Sequence, residues 1–330
     1  MRFFTPYRFA LCLPLLLAAS SCNPAKDTPP PSPAPAVEQP EPEPLTWLTP
    51  EAFDQGQAFS EVSDFVALGP RVSGTEASKT AANYLVEKLK GLGIKVELDK
   101  FVHTTPRGVV TFRNVVGTVR GTGRDIIILA SHYDTKANID EAFVGANDSG
   151  SSTGILLELA RLAAQGPTPP VDIVFAFFDG EEAYESYGPD DGLHGSRHMA
   201  QSYVEAGLRD LVRGLILLDM VGDKNLTVTI PRNGSPKLVK AVFDAARAEG
   251  VRDKFELYPF EIGDDHEPFL RAGIPAVDII DFYYGQRRKK NNFWHTAEDT
   301  MDKISADSLG IVGRVTIRAI NTLLAEPVGN

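Results

Sequence analysis

From Leu45 onward the chain carries strand-like runs, "FRNVVGTV", "DIIILASH", "VDIVFAFF", "LILLDMVG" and "AVDIIDF", separated by stretches whose apolar residues recur at helical spacing. Those stretches predict helices over 60–68, 76–92, 149–164, 196–206, 236–248 and 305–324. A strand that is apolar at nearly every position is buried on both faces, whereas a strand facing water alternates. Such strands alternating with amphipathic helices predict a three-layer α/β/α single domain with a mostly parallel mixed sheet. In open sheets of this kind the ligand site lies beyond the carboxyl ends of the strands. Polar residues that directly follow a strand are therefore expected to gather along one edge.

The first residues break this pattern. "MRFFTPYRFALCLPLLLAASSC" has two arginines, then an apolar run too short to span a bilayer, then small residues ending at Cys22. That is the layout of a secretory signal over 1–22. Its "ASSC" end resembles a bacterial lipobox, which would leave Cys22 as a lipidated first residue; plain signal-peptidase cleavage is the alternative. Asn23 after the cysteine points to the outer membrane of a Gram-negative cell. Residues 23–45, "NPAKDTPPPSPAPAVEQPEPEPL", are rich in proline and too poor in apolar side chains to nucleate a core, so they read as an extended spacer. The catalytic domain is expected over 46–330, exported into the cell envelope and tied to a membrane through Cys22 alone.

Composition narrows the chemistry. The only two cysteines, Cys12 and Cys22, lie in the leader. A mature fold without cysteine has no disulfides, no thiol nucleophile and no thiolate zinc site. The formal net charge of −11 opposes nucleic-acid binding, which needs a basic footprint.

Residues able to carry chemistry recur at the predicted strand ends. His132 and Asp134 follow "DIIILAS", Glu181 and Glu182 follow "VDIVFAFFDG", and Asp219 closes "LILLD". Asp148 precedes a predicted helix, and His295 lies in "NNFWHTAEDT". Carboxylates and neutral imidazole suit zinc, and a catalytic zinc takes three protein ligands with one position open. A nearby cation also explains the adjacent glutamates: one can stay ionised as a ligand while the other carries protons. An isolated aspartate at a strand end usually caps a helix, and an isolated histidine is usually structural. The order HxD, Asp, Glu-Glu, Asp, His is what points to a metal.

The motifs "SHYDTK", "GANDSGSSTGILLELAR", "FFDGEEA", "LLDMVG" and "FWHTAEDT" resemble the zinc aminopeptidases of the bacterial leucyl aminopeptidase type and the related animal-type glutaminyl cyclases. "FFDGEEAYESYGPDDGLHGSRHMA" and "DDHEPFLRAGIP" are more similar to the cyclases. The resemblance implies a zinc aminopeptidase-like fold in which Asp148, Glu182 and His295 hold one zinc and Glu181 is the acid/base. It further implies that Asp219 and Asp264 share a hydrogen-bond network beside the substrate, and that Trp294 forms an aromatic wall of the pocket. Tyr187 stands where the animal cyclases carry tryptophan, and Asp278 where they carry histidine.

In the aminopeptidase branch the same framework binds two zinc ions, with His132 and Asp219 joining the second and Asp148 bridging. In either branch Asp134 would orient His132. The implied activity is conversion of N-terminal glutamine to pyroglutamate with release of ammonia; hydrolysis of N-terminal residues is the alternative. The expected partner is a peptide or protein N-terminus, and the chain is expected to act as a monomer. His198 is read as structural, His266 as a residue that fixes its loop, with a direct catalytic role as the alternative, and His194 and His103 as solvent or loop residues.

Overall fold

The computed structural model describes residues 46–285 and 291–325. The signal segment, Cys22 and the proline-rich spacer lie outside the described residues. Eight strands form one sheet in the order β1-β2-β4-β3-β5-β8-β6-β7. The elements are β1 (Lys95–Thr105), β2 (Gly108–Val119), β3 (Ile126–His132), β4 (Asp172–Phe178), β5 (Val212–Asp219), β6 (Val228–Ile230), β7 (Phe255–Leu257) and β8 (Ala276–Ile280). The four central strands β4, β3, β5 and β8 run parallel. Antiparallel pairings of β1 with β2, β2 with β4 and β6 with β8 flank them, so the sheet is mixed with a parallel centre.

Alternation along β4 shows why both faces need cover. Ile173, Phe175 and Phe177 enter one apolar cluster, and Val174, Ala176 and Phe178 enter another on the opposite face. The first is built with α1 (Gln55–Val66), α2 (Glu76–Gly91), α3 (Ser152–Gln165), α5 (Pro236–Ala248) and α7 (Ala306–Leu324). The second packs on α4 (His194–Glu205) and α6 (His266–Arg271) through Met199, Ala200 and Phe269. Helix α3 is buried nearly all round, as expected of a helix in the middle of a core. Its one charged buried group, Glu158, is satisfied by Arg161 at 2.6 Å and by the Asp54 backbone N–H at 3.1 Å.

Helix starts follow local capping chemistry. Asp54 accepts from the N–H groups of Gly56 and Gln57 and opens α1 five residues ahead of the expected position. Thr75 and Ser305 cap α2 and α7 in the same way, through the N–H groups of Ser78 and Ser308. No helix among the described residues is long and apolar enough to cross a membrane.

The parallel register aligns the carboxyl ends that matter. His132 pairs with Phe178 at the ends of β3 and β4, and Asp219 with Ile280 at the ends of β5 and β8. Everything that follows these positions emerges on one edge of the sheet.

Candidate active site

Two turns deliver the central carboxylates. Between β3 and α3 the chain makes a tight turn, Ala146–Ser151, and the expected helix therefore begins at Ser152 rather than 149. Gly145 enters this turn at φ +55, where an added Cβ would lie 2.1 Å from the Asp148 carbonyl oxygen. Only glycine fits there. Arg71, fully buried, secures the approach by donating to the carbonyls of Tyr133 and Val144 at 2.9 Å and of Gly145 at 3.3 Å. After β4, Gly180 turns at φ +76 against Phe112 and sends the two glutamates inward. Asp134 accepts from the backbone N–H groups of both Glu181 (3.1 Å) and Glu182 (3.2 Å), which fixes the pair.

Asp148 sits between two histidines. Its Oδ1 is 3.1 Å from His132 Nε2, and its Oδ2 is 3.4 Å from His295 Nε2. His295 Nε2 also meets Glu182 Oε1 at 2.9 Å, and His132 Nε2 meets Asp219 Oδ1 at 3.3 Å. Two ligand-like groups result, Asp148–Glu182–His295 and His132–Asp148–Asp219, each with its donor atoms within 4.8 Å of one another. His132 Nδ1 lies 3.5 Å from Asp134 Oδ1, on the far side of the ring from the cluster. His295 adopts φ +54, an uncommon conformation for a non-glycine residue, with the Trp294 ring stacked on it at 4.1 Å.

The remaining expected residues meet in the same place. A cavity of about 290 Å³ is lined by Asp148, Glu181, Glu182 and His295 at one end and by Tyr187, Asp219, Asp264 and Trp294 around it. Glu181 belongs to neither ligand-like group; its two carboxylate oxygens accept from the Tyr187 hydroxyl at 3.0 and 3.2 Å. His132 and Asp134 lie behind this wall, fully buried.

The electrostatics of the cluster describe an unbalanced set of acids. Burial, then the Glu182 charge, pushes the Glu181 carboxyl well above its usual range. Burial and the Asp148 charge lift Glu182 to about 7 despite its contact with His295. Burial acts upward on Asp148 as well, but contacts with two histidines hold it below the ordinary carboxylate range. Burial opposes the charge on His295, yet Asp148 and Glu182 raise it to about 10. Asp264 and Asp278 are both pushed well above their usual range, by burial and then by the charges of their acidic neighbours.

This donor set fits a divalent cation. Asp148 Oδ2 and Glu182 Oε2 are buried and, with His295 3.4 Å and Lys136 3.7 Å away respectively, accept no hydrogen bond. Unpaired buried carboxylate oxygens are costly unless protonated, hydrogen-bonded or bound to metal. Imidazole nitrogen with carboxylate oxygen is the ligand chemistry of catalytic zinc.

Peptidase family M28 matches residues 114–320. The chain belongs to that family. Among its relatives is the glutaminyl-peptide cyclotransferase of Bothrops jararaca, 31% identical over 290 residues that cover 75% of this chain and 76% of the relative. A solved glutaminyl cyclase from an Acidobacteriales bacterium is 33% identical, covers 86% of this chain and 98% of its own, and superposes with a TM-score of 0.78. A Zn-dependent exopeptidase from Parabacteroides distasonis is 30% identical, with coverages of 81% and 98% and a TM-score of 0.72. The mixed sheet described above is thus the fold shared by glutaminyl cyclases and zinc exopeptidases.

Within this M28 framework several supporting residues escaped the sequence reading. Asp299 accepts from the backbone N–H groups of Asn147 (2.8 Å) and Asp148 (3.1 Å) and from the Tyr284 hydroxyl (2.7 Å), so it holds the Asp148 turn from outside. Its only sequence signal is an acid four places after His295. Asp179 accepts from the Ser73 hydroxyl at 2.6 Å and the Arg113 N–H at 2.9 Å and anchors the start of the glutamate turn. Lys136 places its ammonium 3.7 Å from Glu182 Oε2 and donates to the Ala183 carbonyl.

The other histidines divide. His198 stacks on Phe101 at 4.0 Å and pairs with Asp99 at 3.3 Å, a packing role on the surface of the sheet. His194 differs from expectation: it opens α4 fully buried, 3.1 Å from His103 Nδ1 through its own Nδ1. His266 is wholly buried at the start of α6, with neither ring nitrogen hydrogen-bonded. Asp299→Ala is expected to weaken zinc affinity by about 10–100-fold, the usual cost of losing an outer partner of a ligand. Competition against a zinc-chelating dye measures it, and unchanged affinity would show that the Asp148 turn holds itself.

Proposed function

We propose that the chain is a zinc-dependent glutaminyl-peptide cyclotransferase, converting the N-terminal glutamine of a peptide into pyroglutamate with release of ammonia. The observation that carries this reading is a small cavity ending on Glu181 and the Asp148–Glu182–His295 group, in a chain 31% identical to a named cyclotransferase. The cavity lies near the lower end of small-ligand pockets, about 300–1,000 Å³, which suits a single terminal residue.

Asp148, Glu182 and His295 would hold the zinc. Bound there, it supplies Lewis-acid polarisation of an amide carbonyl. Nucleophile and electrophile belong to one residue of the substrate: the α-amino nitrogen bonds to the side-chain carbonyl carbon, and the bond from that carbon to the amide nitrogen breaks. The site's work is to hold those two groups in reacting geometry and to move protons.

Glu181 takes a proton from the attacking amine and delivers it to the departing ammonia, so acid and base roles alternate on one carboxyl. Tyr187 orients that carboxyl through its hydroxyl and offers its ring as one face of the pocket. Trp294 supplies another apolar face. Asp219 and Asp264 lie where they can accept from the substrate's N–H groups, and Asp134 keeps both glutamates in register.

A second reading rests on one specific observation. Asp148 presents one oxygen to each of two ligand-like groups, so His132 and Asp219 can complete a second metal position. With both filled, the site suits hydrolysis of the first peptide bond, with Glu181 taking the proton of an attacking water.

Incubating zinc-loaded protein with Gln-initiated and Leu-initiated peptides separates the two. The cyclase reading predicts loss of ammonia from the Gln peptide with the chain intact and no reaction of the Leu peptide by mass spectrometry. Release of the first residue from either peptide would favour the hydrolase. Absence of both reactions would defeat both.

A further inference from the structure

We propose that Asp264, His266 and Asp278 form a further cation site, separate from the Asp148 group, that takes a structural zinc ion behind the wall of the reaction pocket. The inference goes beyond the cyclotransferase reading and does not depend on it. One imidazole nitrogen and one oxygen from each carboxylate lie within 4.8 Å of one another. All three residues are buried, His266 and Asp278 wholly so.

Two elements bring them together. Asp278 lies midway along β8, between Val277 and Ile279, whose side chains enter the apolar cluster on the α3 and α7 side of the sheet. Side chains alternate along a strand, so Asp278 points to the opposite face, where α4 and α6 pack. His266 is the first residue of α6, and Asp264 precedes it by two positions. The Asp264 carbonyl accepts from the Glu267 N–H at 2.8 Å, and its Oδ1 accepts from the Asp265 N–H. These bonds fix the segment and leave Oδ2 to face its neighbours. Asp264 alone of the three lines the cavity, so the ion's place is between the pocket wall and the apolar core.

The imidazole is what singles out this group from an ordinary cluster of acids. Asp264 Oδ2, both oxygens of Asp278 and both ring nitrogens of His266 are buried without a hydrogen-bond partner. Buried polar atoms left in that state are costly. The two carboxyls face each other closely enough to share a proton, which would pair one oxygen of each acid. It would leave His266 with nothing. A divalent cation engages all three side chains at once and balances both carboxylate charges. Because both Asp278 oxygens are available, the group can supply the four donors of a closed, structural zinc site. Burial pulls the His266 pKa down to about 4, which keeps the ring in the neutral, ligating form.

This site fills after the Asp148 group. Buried beside Asp219 and Asp265, both Asp264 and Asp278 carry protons until a cation arrives, and a ligand must lose its proton to bind. Zinc retained on purification is therefore that of the Asp148 group, and the further ion enters on loading with excess zinc.

The test counts zinc by plasma mass spectrometry after equilibrium dialysis at rising free zinc. Wild type is expected to bind two equivalents. Asp278→Asn and His266→Gln should keep the tighter equivalent and bind the weaker one more than about 100-fold less well, since loss of even an outer partner costs about 10–100-fold. Asp219→Asn removes a donor of the His132–Asp148–Asp219 group and should still bind two. Saturation of wild type at one equivalent would overturn the site. So would a second equivalent that Asp219→Asn loses while Asp278→Asn and His266→Gln keep it, for that ion would belong to the His132 group.

Asp278 lies in the core, where a substitution can prevent folding, so the unaltered protein is put to the same question. Crystals grown from zinc-saturated wild type are recorded above and below the zinc edge. A peak in contact with Asp264, His266 and Asp278 is expected in addition to the one at the Asp148 group. A full peak at the Asp148 group with none among these three residues would overturn the proposal. No measurement here uses turnover: failure of this site leaves the peptide assay to decide the cyclotransferase reading, and inactivity towards Gln-initiated peptides leaves the zinc count to decide this one.

Discussion

Glu181→Gln is expected to lower kcat for a Gln-initiated peptide by about 10²–10⁴-fold while zinc content stays at the wild-type level. The two halves of this result have separate causes. Glu181 lines the cavity yet belongs to neither ligand-like group, so removing its charge leaves the metal's donors in place. Glutamine keeps the side-chain volume and still accepts from the Tyr187 hydroxyl through its amide oxygen. What it cannot do is take a proton from the amine and give it to ammonia. Steady-state kinetics with zinc measured by mass spectrometry of the purified variant checks both halves. A variant within about 3-fold of wild type would remove Glu181 from the proton-transfer step.

The neighbouring substitution should behave in the opposite way. Glu182→Gln takes one of three donors from the Asp148–Glu182–His295 group, and the oxygen nearest His295, 2.9 Å away, loses its charge. Its other oxygen is buried beside Lys136, which is then left without its counter-ion. Loss of an outer partner already costs about 10–100-fold in affinity, so loss of a direct donor is expected to exceed 100-fold. As purified, Glu182→Gln should hold little zinc and turn over little substrate. Excess zinc should restore part of its activity and none of that of Glu181→Gln. Equal zinc content in the two variants would overturn the division of labour between these adjacent acids.

How much of this was legible before the structure depends on where each residue is buried. The parallel centre was, because β3, β4 and β8 are buried at every position, β5 at all but Arg213, and they read as nearly unbroken apolar runs. Strand β1 was not: "KVELDKFVHTT" lies at the sheet edge with most positions wet, and its alternation is diluted by charges. The three-residue strands β6 and β7 are too short to show any period. The start of α1 was misplaced because Asp54, its cap, is followed by the polar "QGQ", which shows no apolar period.

The site divides on the same physical line. His132, Glu181, Glu182 and Asp219 were readable because strand ends mark the edge where ligands bind. Asp148, Asp264, Trp294 and His295 came from motif order and resemblance, since they sit in irregular turns whose paths no periodicity encodes. The turn before α3 illustrates this: a helix was expected to start at 149, yet Asp148 and Ser149 have non-helical backbone angles that aim the carboxylate inward. Asp179 and Arg71 were invisible, and Asp299 was marked only by its spacing from His295. Each acts through backbone N–H or carbonyl groups of segments distant in sequence, and only the folded chain shows those partners.

The most direct test of the central claim is an anomalous difference map from crystals of the zinc-loaded protein, recorded at the zinc edge. One strong peak is expected in contact with Asp148, Glu182 and His295. A second peak of comparable height against His132 and Asp219, or no peak among the three residues, would contradict it.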